Sequence, residues 1–199
     1  MNQVICVYSS SSCAIDECYC AAAAALGREI ARRGDRLLFG GGMIGLMGIT
    51  AQAVHQLQGK VIGVIPKALN LKNVVYEYCD ELIVTEDMRS RKATMDHRSD
   101  AFIALPGGYG TLEELLEIIT LKQLNYHQKP VVIINTAGFY DQLLMQFENS
   151  IALNFARPSC RELYYVTESV MAALEYIDHY QPVTVRPKWL TDIGENEKK

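Results

Sequence analysis

Six short apolar runs recur along the chain, at 4–8, 37–39, 61–65, 82–84, 101–105 and 131–134, and a longer stretch of helical character separates most of them. Within each run successive positions are apolar, so both faces of the strand it would form need burying. A strand of that kind sits between two layers of helices. The helical stretches fall at 14–33, 45–57, 87–98, 111–125 and 139–153, with a last one at 167–179. In 111–125, Leu112, Leu115, Leu116 and Ile119 follow the i, i+3, i+4, i+7 spacing that makes one apolar stripe. Strands joined through helices run parallel with right-handed crossovers. The pattern therefore predicts a Rossmann-like, doubly wound α/β fold, a mainly parallel sheet with helices on both faces.

At 199 residues the chain has room for one such sheet, given about 150 residues per domain. We expect a single domain over 1–190 and a flexible polar tail at 191–199. An apolar fraction of 49% and a charged fraction of 21% suit a packed core and exclude a disordered chain. The net charge is −4 and there is no long basic run, which argues against nucleic acid as a partner. The longest wholly apolar run, 18–26, falls far short of the ~20 residues that span a bilayer. No basic residue precedes the first apolar run, as a signal peptide would require, so the expected compartment is the cytoplasm. The six cysteines form no Cys-x-x-Cys pair and read as reduced thiols, mostly core filler. The four histidines lack ligand spacing, so no metal site is expected.

In this architecture ligands bind beyond the carboxyl ends of the strands. Three of the loops there are rich in Ser or Gly. The first is Ser9-Ser10-Ser11-Ser12, whose hydroxyls could hold an anion or merely cap a helix. The second, after 37–39, has five glycines in nine residues: Gly40, Gly41, Gly42, Gly45 and Gly48. Glycine permits positive φ and close backbone approach, for a ligand or for packing alone. The third, Pro106-Gly107-Gly108-Tyr109-Gly110-Thr111-Leu112-Glu113-Glu114, is the strongest. Its glycines free backbone N–H groups at a helix start expected near Thr111, a cradle for phosphate. No Lys-Ser/Thr follows, so it is not the loop of an ATP or GTP hydrolase. Thr111-x-x-Glu114 also spells a capping box, which would give Glu114 a structural role instead. The stretch 87–98 places Arg89, Arg91, Lys92 and Arg98 on a helix, either as a solvated face or with Arg91 near the same sheet edge.

Arg91-Lys92 followed by Pro-Gly-Gly-Tyr-Gly-Thr-Leu-Glu-Glu resembles the LOG ("lonely guy") family, cytokinin riboside 5′-monophosphate phosphoribohydrolases. The likeness runs from about Val4 to Trp189 and takes in the Gly40–Gly48 loop and Ile65-Pro66-Lys67-Ala68-Leu69. It implies hydrolysis of the N-glycosidic bond of a nucleoside 5′-monophosphate, giving free base and ribose 5-phosphate, in a Rossmann-like homodimer without cofactor. It implies Arg91 and Glu114 as the catalytic pair. It implies substrate contacts at Lys92, Gly107, Gly108, Tyr109, Gly110, Thr111, Leu112, Glu113 and Thr120, to which Ser11, Gly41, Gly42, Asn73 and Met88 are added as candidates. That chemistry passes through an oxocarbenium-like sugar, which a carboxylate can stabilise or supply with activated water, while an Arg holds phosphate or ribose or polarises the base.

The chain departs from the family at Asn73, where Glu is usual, at Arg89, where His commonly precedes the Arg-Lys pair, and at Ser10, where Gly is usual. The first of these bears on substrate preference. Two rival readings are a general purine 5′-monophosphate nucleosidase and a non-catalytic carrier of a nucleotide or phosphate-bearing cofactor. A carrier needs the glycine loop but not Arg91 or Glu114. The label "lysine decarboxylase", often attached to such sequences, would call for pyridoxal phosphate on a lysine, and no motif here supplies the acidic partner for its ring nitrogen.

Overall fold

A computed structural model describes residues 2–183. The expected tail at 191–199, and 184–190 of the expected domain, lie outside the described residues. Strands β1 (Val4–Tyr8), β2 (Arg36–Phe39), β3 (Lys60–Pro66), β4 (Glu81–Thr85), β5 (Ala101–Ala104), β6 (Val131–Ile134) and β7 (Tyr165–Thr167) form one seven-stranded sheet in the order β4-β3-β2-β1-β5-β6-β7. All neighbouring strands pair in parallel. Between them run helices α1 (Glu17–Arg32), α2 (Gly45–Gln56), α3 (Met88–Arg98), α4 (Tyr109–Gln123) and α5 (Asp141–Ala152), and α6 (Val170–His179) follows β7.

The two-residue period of a strand divides the core. From β1, Ile5 and Val7 pack with α1, α2 and α6 through Leu26, Ile30, Val54 and Leu174. Val4, Cys6 and Tyr8 pack on the other side, against Met95 of α3 and Leu115 and Ile118 of α4. This is why the strand runs are apolar throughout. The chain builds outward from β1 to β4, then returns to add β5 on the other flank. The crevice at such a reversal lies beyond the carboxyl ends of β1 and β5. Among the described residues no helix is long and apolar enough to cross a membrane.

Two expectations need correction. β7 was not foreseen: three half-buried residues at the sheet's edge carry too little periodicity to read, and their strand character comes from pairing with β6. α6 begins at Val170 rather than at 167, because the Ser169 side chain accepts from the Ala172 N–H and caps it there. Most of the thiols do fill the core: Cys6 and Cys160 are buried and Cys20 and Cys79 pack against it, while Cys13 and Cys18 are exposed on the loop and first turn around the start of α1.

Candidate functional site

The crevice is built from loops whose geometry can be traced to individual residues. α3 starts with a capping box: Asp87 accepts from the Ser90 N–H at 2.8 Å, and the Asp87 N–H donates to Ser90 Oγ at 3.1 Å. That start fixes the phase of the helix, so Arg91 and Met95 turn toward the sheet while Arg98 faces out and pairs with Glu81 at 2.7 Å. The basic stretch is thus divided, one guanidinium inside and the rest outside. Arg91 Nε–H donates to the Val64 carbonyl at 3.0 Å and its Nη1–H to Glu114 Oε1 at 2.6 Å. Arg91 and Glu114 are only 7% and 8% exposed.

Glu114 is therefore not a capping residue. α4 begins at Tyr109, two residues before the expected start, with Gly108 as its N-cap and no side-chain cap. Thr111 sits inside the first turn, so Thr111-x-x-Glu114 makes no capping box. The first N–H groups of α4 consequently face the crevice uncapped, where a helix leaves donors unsatisfied and carries partial positive charge. The loop is tied to its neighbour by the Ser10 N–H, which donates to the Pro106 carbonyl at 3.3 Å.

Burial holds the Glu114 carboxyl above its ordinary value of 4.5, and the Arg91 charge opposes that shift. Below the pair stand two groups from β1. Burial, with Glu114 adding to it, pushes the Cys6 thiol up to about 12 and the Tyr8 phenol well above its usual range. Both stay neutral at pH 7, so the Arg91–Glu114 pair stands on a neutral floor. Lys92 lies at the rim, paired with Glu113 and, at 2.8 Å, with Glu117. Burial works against its charge, but these carboxylates outweigh burial and raise its pKa.

The remaining candidates divide. Gly107, Thr111 and Leu112 line the inner part of the loop; Gly108, Gly110 and Tyr109, 94% exposed, form its open rim. Gly41, with φ +73°, and Gly42 lie across the crevice after β2. Met88 and Ser11 are exposed at its margin. Asn73 is exposed on the segment 67–80 with φ +71°, a left-handed conformation that Asn tolerates better than Glu. Thr120 is not with the others. It is exposed about 9 Å further along α4 and a third of a turn round from Glu114, its hydroxyl donating to the Leu116 carbonyl at 2.7 Å.

Three features of the site take their meaning only from the structure. Gly40 is required because a Cβ there would overlap the Arg91 guanidinium. The Val64 carbonyl orients that guanidinium, and no side-chain pattern announces a carbonyl. Ser9 Oγ, at the end of β1, is buried with no hydrogen-bond partner among the described residues. The serine run signalled the loop but not which hydroxyl would be inside.

Comparison with known proteins bears on the family and the fold. A family model described as "Possible lysine decarboxylase" matches residues 47–177. A cytokinin riboside 5′-monophosphate phosphoribohydrolase of Arabidopsis thaliana is 44% identical over 179 residues, covering 90% of this chain and 78% of its own. A second from the same plant is 44% identical over 195 residues, covering 96% and 92%. Among solved structures, the molybdenum cofactor binding protein of Rippkaea orientalis superposes with a TM-score of 0.69 at 26% identity, covering 89% of this chain and 96% of its own.

Proposed function

Since the chain belongs to the LOG family of cytokinin riboside 5′-monophosphate phosphoribohydrolases, we propose that it hydrolyses the N-glycosidic bond of an N6-modified adenosine 5′-monophosphate, releasing base and ribose 5-phosphate. The observation that carries this reading is the buried Arg91–Glu114 pair, 2.6 Å apart, beside an uncapped helix start. The N–H groups at 108–111 receive the 5′-phosphate, and Lys92 exchanges part of its carboxylate pairing for it. Binding the remote phosphate orients the anomeric carbon over Glu114. Glu114 stabilises the cationic sugar as the bond to the base breaks and takes the proton of the attacking water. The proton that Glu114 takes from water passes on to the ring nitrogen of the departing base, which returns Glu114 to its carboxylate form and balances the hydrolysis. Arg91 opposes the effect of burial on Glu114 and aims its carboxyl, and presents its remaining N–H groups beside Gly40. No step needs a cofactor.

Membership of the family supports a homodimer, and Thr120, exposed and away from the start of its own helix, is a residue that a second copy could cover. The free thiols of all six cysteines suit a reducing, cytoplasmic setting. Nothing in the charge distribution favours nucleic acid as a partner.

A carrier of a phosphate-bearing cofactor is the second reading, because of the likeness to a molybdenum cofactor binding protein. Such a role leaves the buried carboxylate unexplained. A decarboxylase reading meets a direct obstacle at Lys92: an amine paired with two carboxylates and raised in pKa is a poor candidate for a Schiff base. The deciding experiment is chromatography of isopentenyladenosine 5′-monophosphate and of AMP after incubation with wild type and with Glu114→Ala. Free base from wild type and none from the variant is the expected result, and the ratio between substrates separates cytokinin release from general nucleotide breakdown. Intact binding by calorimetry with no base released overturns the enzyme reading in favour of the carrier.

A further inference from the structure

The segment 67–80 lies between β3 and β4 and crosses the glycine loop after β2. Its backbone pairs with that loop. The Tyr76 N–H donates to the Gly41 carbonyl at 2.8 Å, the Met43 N–H donates to the Val74 carbonyl at 2.9 Å, and Gly42 and Val75 form an isolated antiparallel bridge. The segment thus acts as a strap, with Asn73 on its exposed turn and Gly41 and Gly42 beneath it.

Tyr76 is the strap's buried anchor, and its hydroxyl ends in a polar chain. Its ring stands edge-on to Phe39, the last residue of β2, at 6.2 Å, and lies over the His55 ring at 5.6 Å. The Tyr76 hydroxyl meets His55 Nδ1 at 2.8 Å, and His55 Nε2 meets Asp80 Oδ2 at 3.1 Å. Asp80 also accepts from Lys60 Nζ at 2.7 Å and from the Val61 N–H at 2.9 Å. Burial opposes its charge, but these donors prevail and hold its carboxyl down at about 2. An ionised Asp80 accepts from Nε2–H, which leaves Nδ1 free to accept from the tyrosine hydroxyl. His55 belongs to α2, Asp80 leads into β4 and Lys60 opens β3. The chain of bonds therefore ties the strap to α2 and to β3 at once.

We propose that Tyr76, His55 and Asp80 are positioning residues that hold the strap, and with it Asn73, Gly41 and Gly42, at the height that sets how the substrate's ribose and base are gripped. The proposal rests on the reading of the crevice as a nucleotide site. The Arg91–Glu114 pair is held separately, by the Val64 carbonyl, so loosening the strap weakens binding and leaves the chemical step intact.

The test uses Tyr76→Phe, which keeps the ring against Phe39 and removes only the hydroxyl, together with His55→Ala and His55→Gln, the last able to accept from Tyr76 and donate to Asp80. For nucleoside monophosphate hydrolysis we expect KM to rise about three- to tenfold in Tyr76→Phe and His55→Ala, with kcat within about twofold of wild type and His55→Gln close to wild type. In hydrogen exchange, the Met43 and Tyr76 amides should exchange about tenfold faster in Tyr76→Phe. Unchanged KM, or a fall in kcat with unchanged KM, overturns the proposal, as does unchanged exchange at those two amides. If wild type itself hydrolyses no nucleotide, the reading of the site fails, and the exchange experiment still decides whether these residues hold the strap.

Discussion

The two glycine loops that flank the crevice look alike in sequence and differ in why they need glycine. After β2, glycine is forced by packing. A Cβ at Gly45 would stand 2.6 Å from the Ser11 backbone at φ +67°, and one at Gly48 would overlap the Met43 carbonyl. After β5, Gly107 is likewise filled, by Thr111, but nothing lies within 4 Å of a Cβ added at Gly108 or Gly110. Among the described residues no neighbour excludes a side chain at those two positions. Empty space beside uncapped N–H groups is what a bound anion would occupy. The contrast teaches that a glycine run is a fold signal where its neighbours crowd it and a ligand signal where they do not.

The sharpest way to test the second loop's role is to remove the group it serves. Glu114→Ala should lower kcat for nucleoside monophosphate hydrolysis about a thousandfold, measured as base released; a loss under tenfold would remove Glu114 from the chemistry. Arg91→Ala should also abolish activity, and it leaves a buried carboxylate without its partner. A stability loss of about 3–5 kcal/mol is expected by urea unfolding.

The loops themselves should then respond in opposite ways. Gly48→Ala forces a side chain against backbone and should cost about 1–3 kcal/mol of stability, with KM nearly unchanged in the folded fraction. Gly110→Ala should raise stability by about 0.5 kcal/mol, since alanine suits a helix better, yet raise KM about tenfold by obstructing the phosphate, readable also as weaker ribose 5-phosphate inhibition. A Gly110→Ala enzyme with unaltered KM would remove the contrast between the loops.

The smallest effect is in pH. Because the folded state holds the Glu114 carboxyl above its ordinary 4.5, folding favours the protonated form. That contribution is complete below 4.5 and is lost as pH rises through the higher folded value. Glu114→Gln, which does not titrate, should therefore gain stability relative to wild type as pH rises through that window. The acid limb of the wild-type rate profile should lie above the ordinary carboxyl range, because activity needs the ionised form.

Local chemistry made much of this legible. Runs of apolar residues such as Val4–Tyr8 and Val131–Ile134 specify buried parallel strands, since neither face is polar. Their alternation with helices implies the crossovers, and the crossovers imply the crevice. The family resemblance carried by the Arg-Lys pair and the glycine loop implied Arg91 and Glu114 as a pair, while their local sequence alone left a solvated face and a capping box open. What sequence left open depends on contacts between distant residues. Glu114 could be a cap or a partner until α4 proved to start at Tyr109 and Arg91 proved to face inward. β7 exists through its pairing with β6, and Ser9 rather than Ser11 has the buried hydroxyl. The His55–Tyr76–Asp80 chain joins residues up to 25 positions apart, none of which belongs to a motif. Periodicity and turn chemistry act over a few residues and are written in the sequence; which side chains meet across a crevice is decided only when the sheet has brought its loops together.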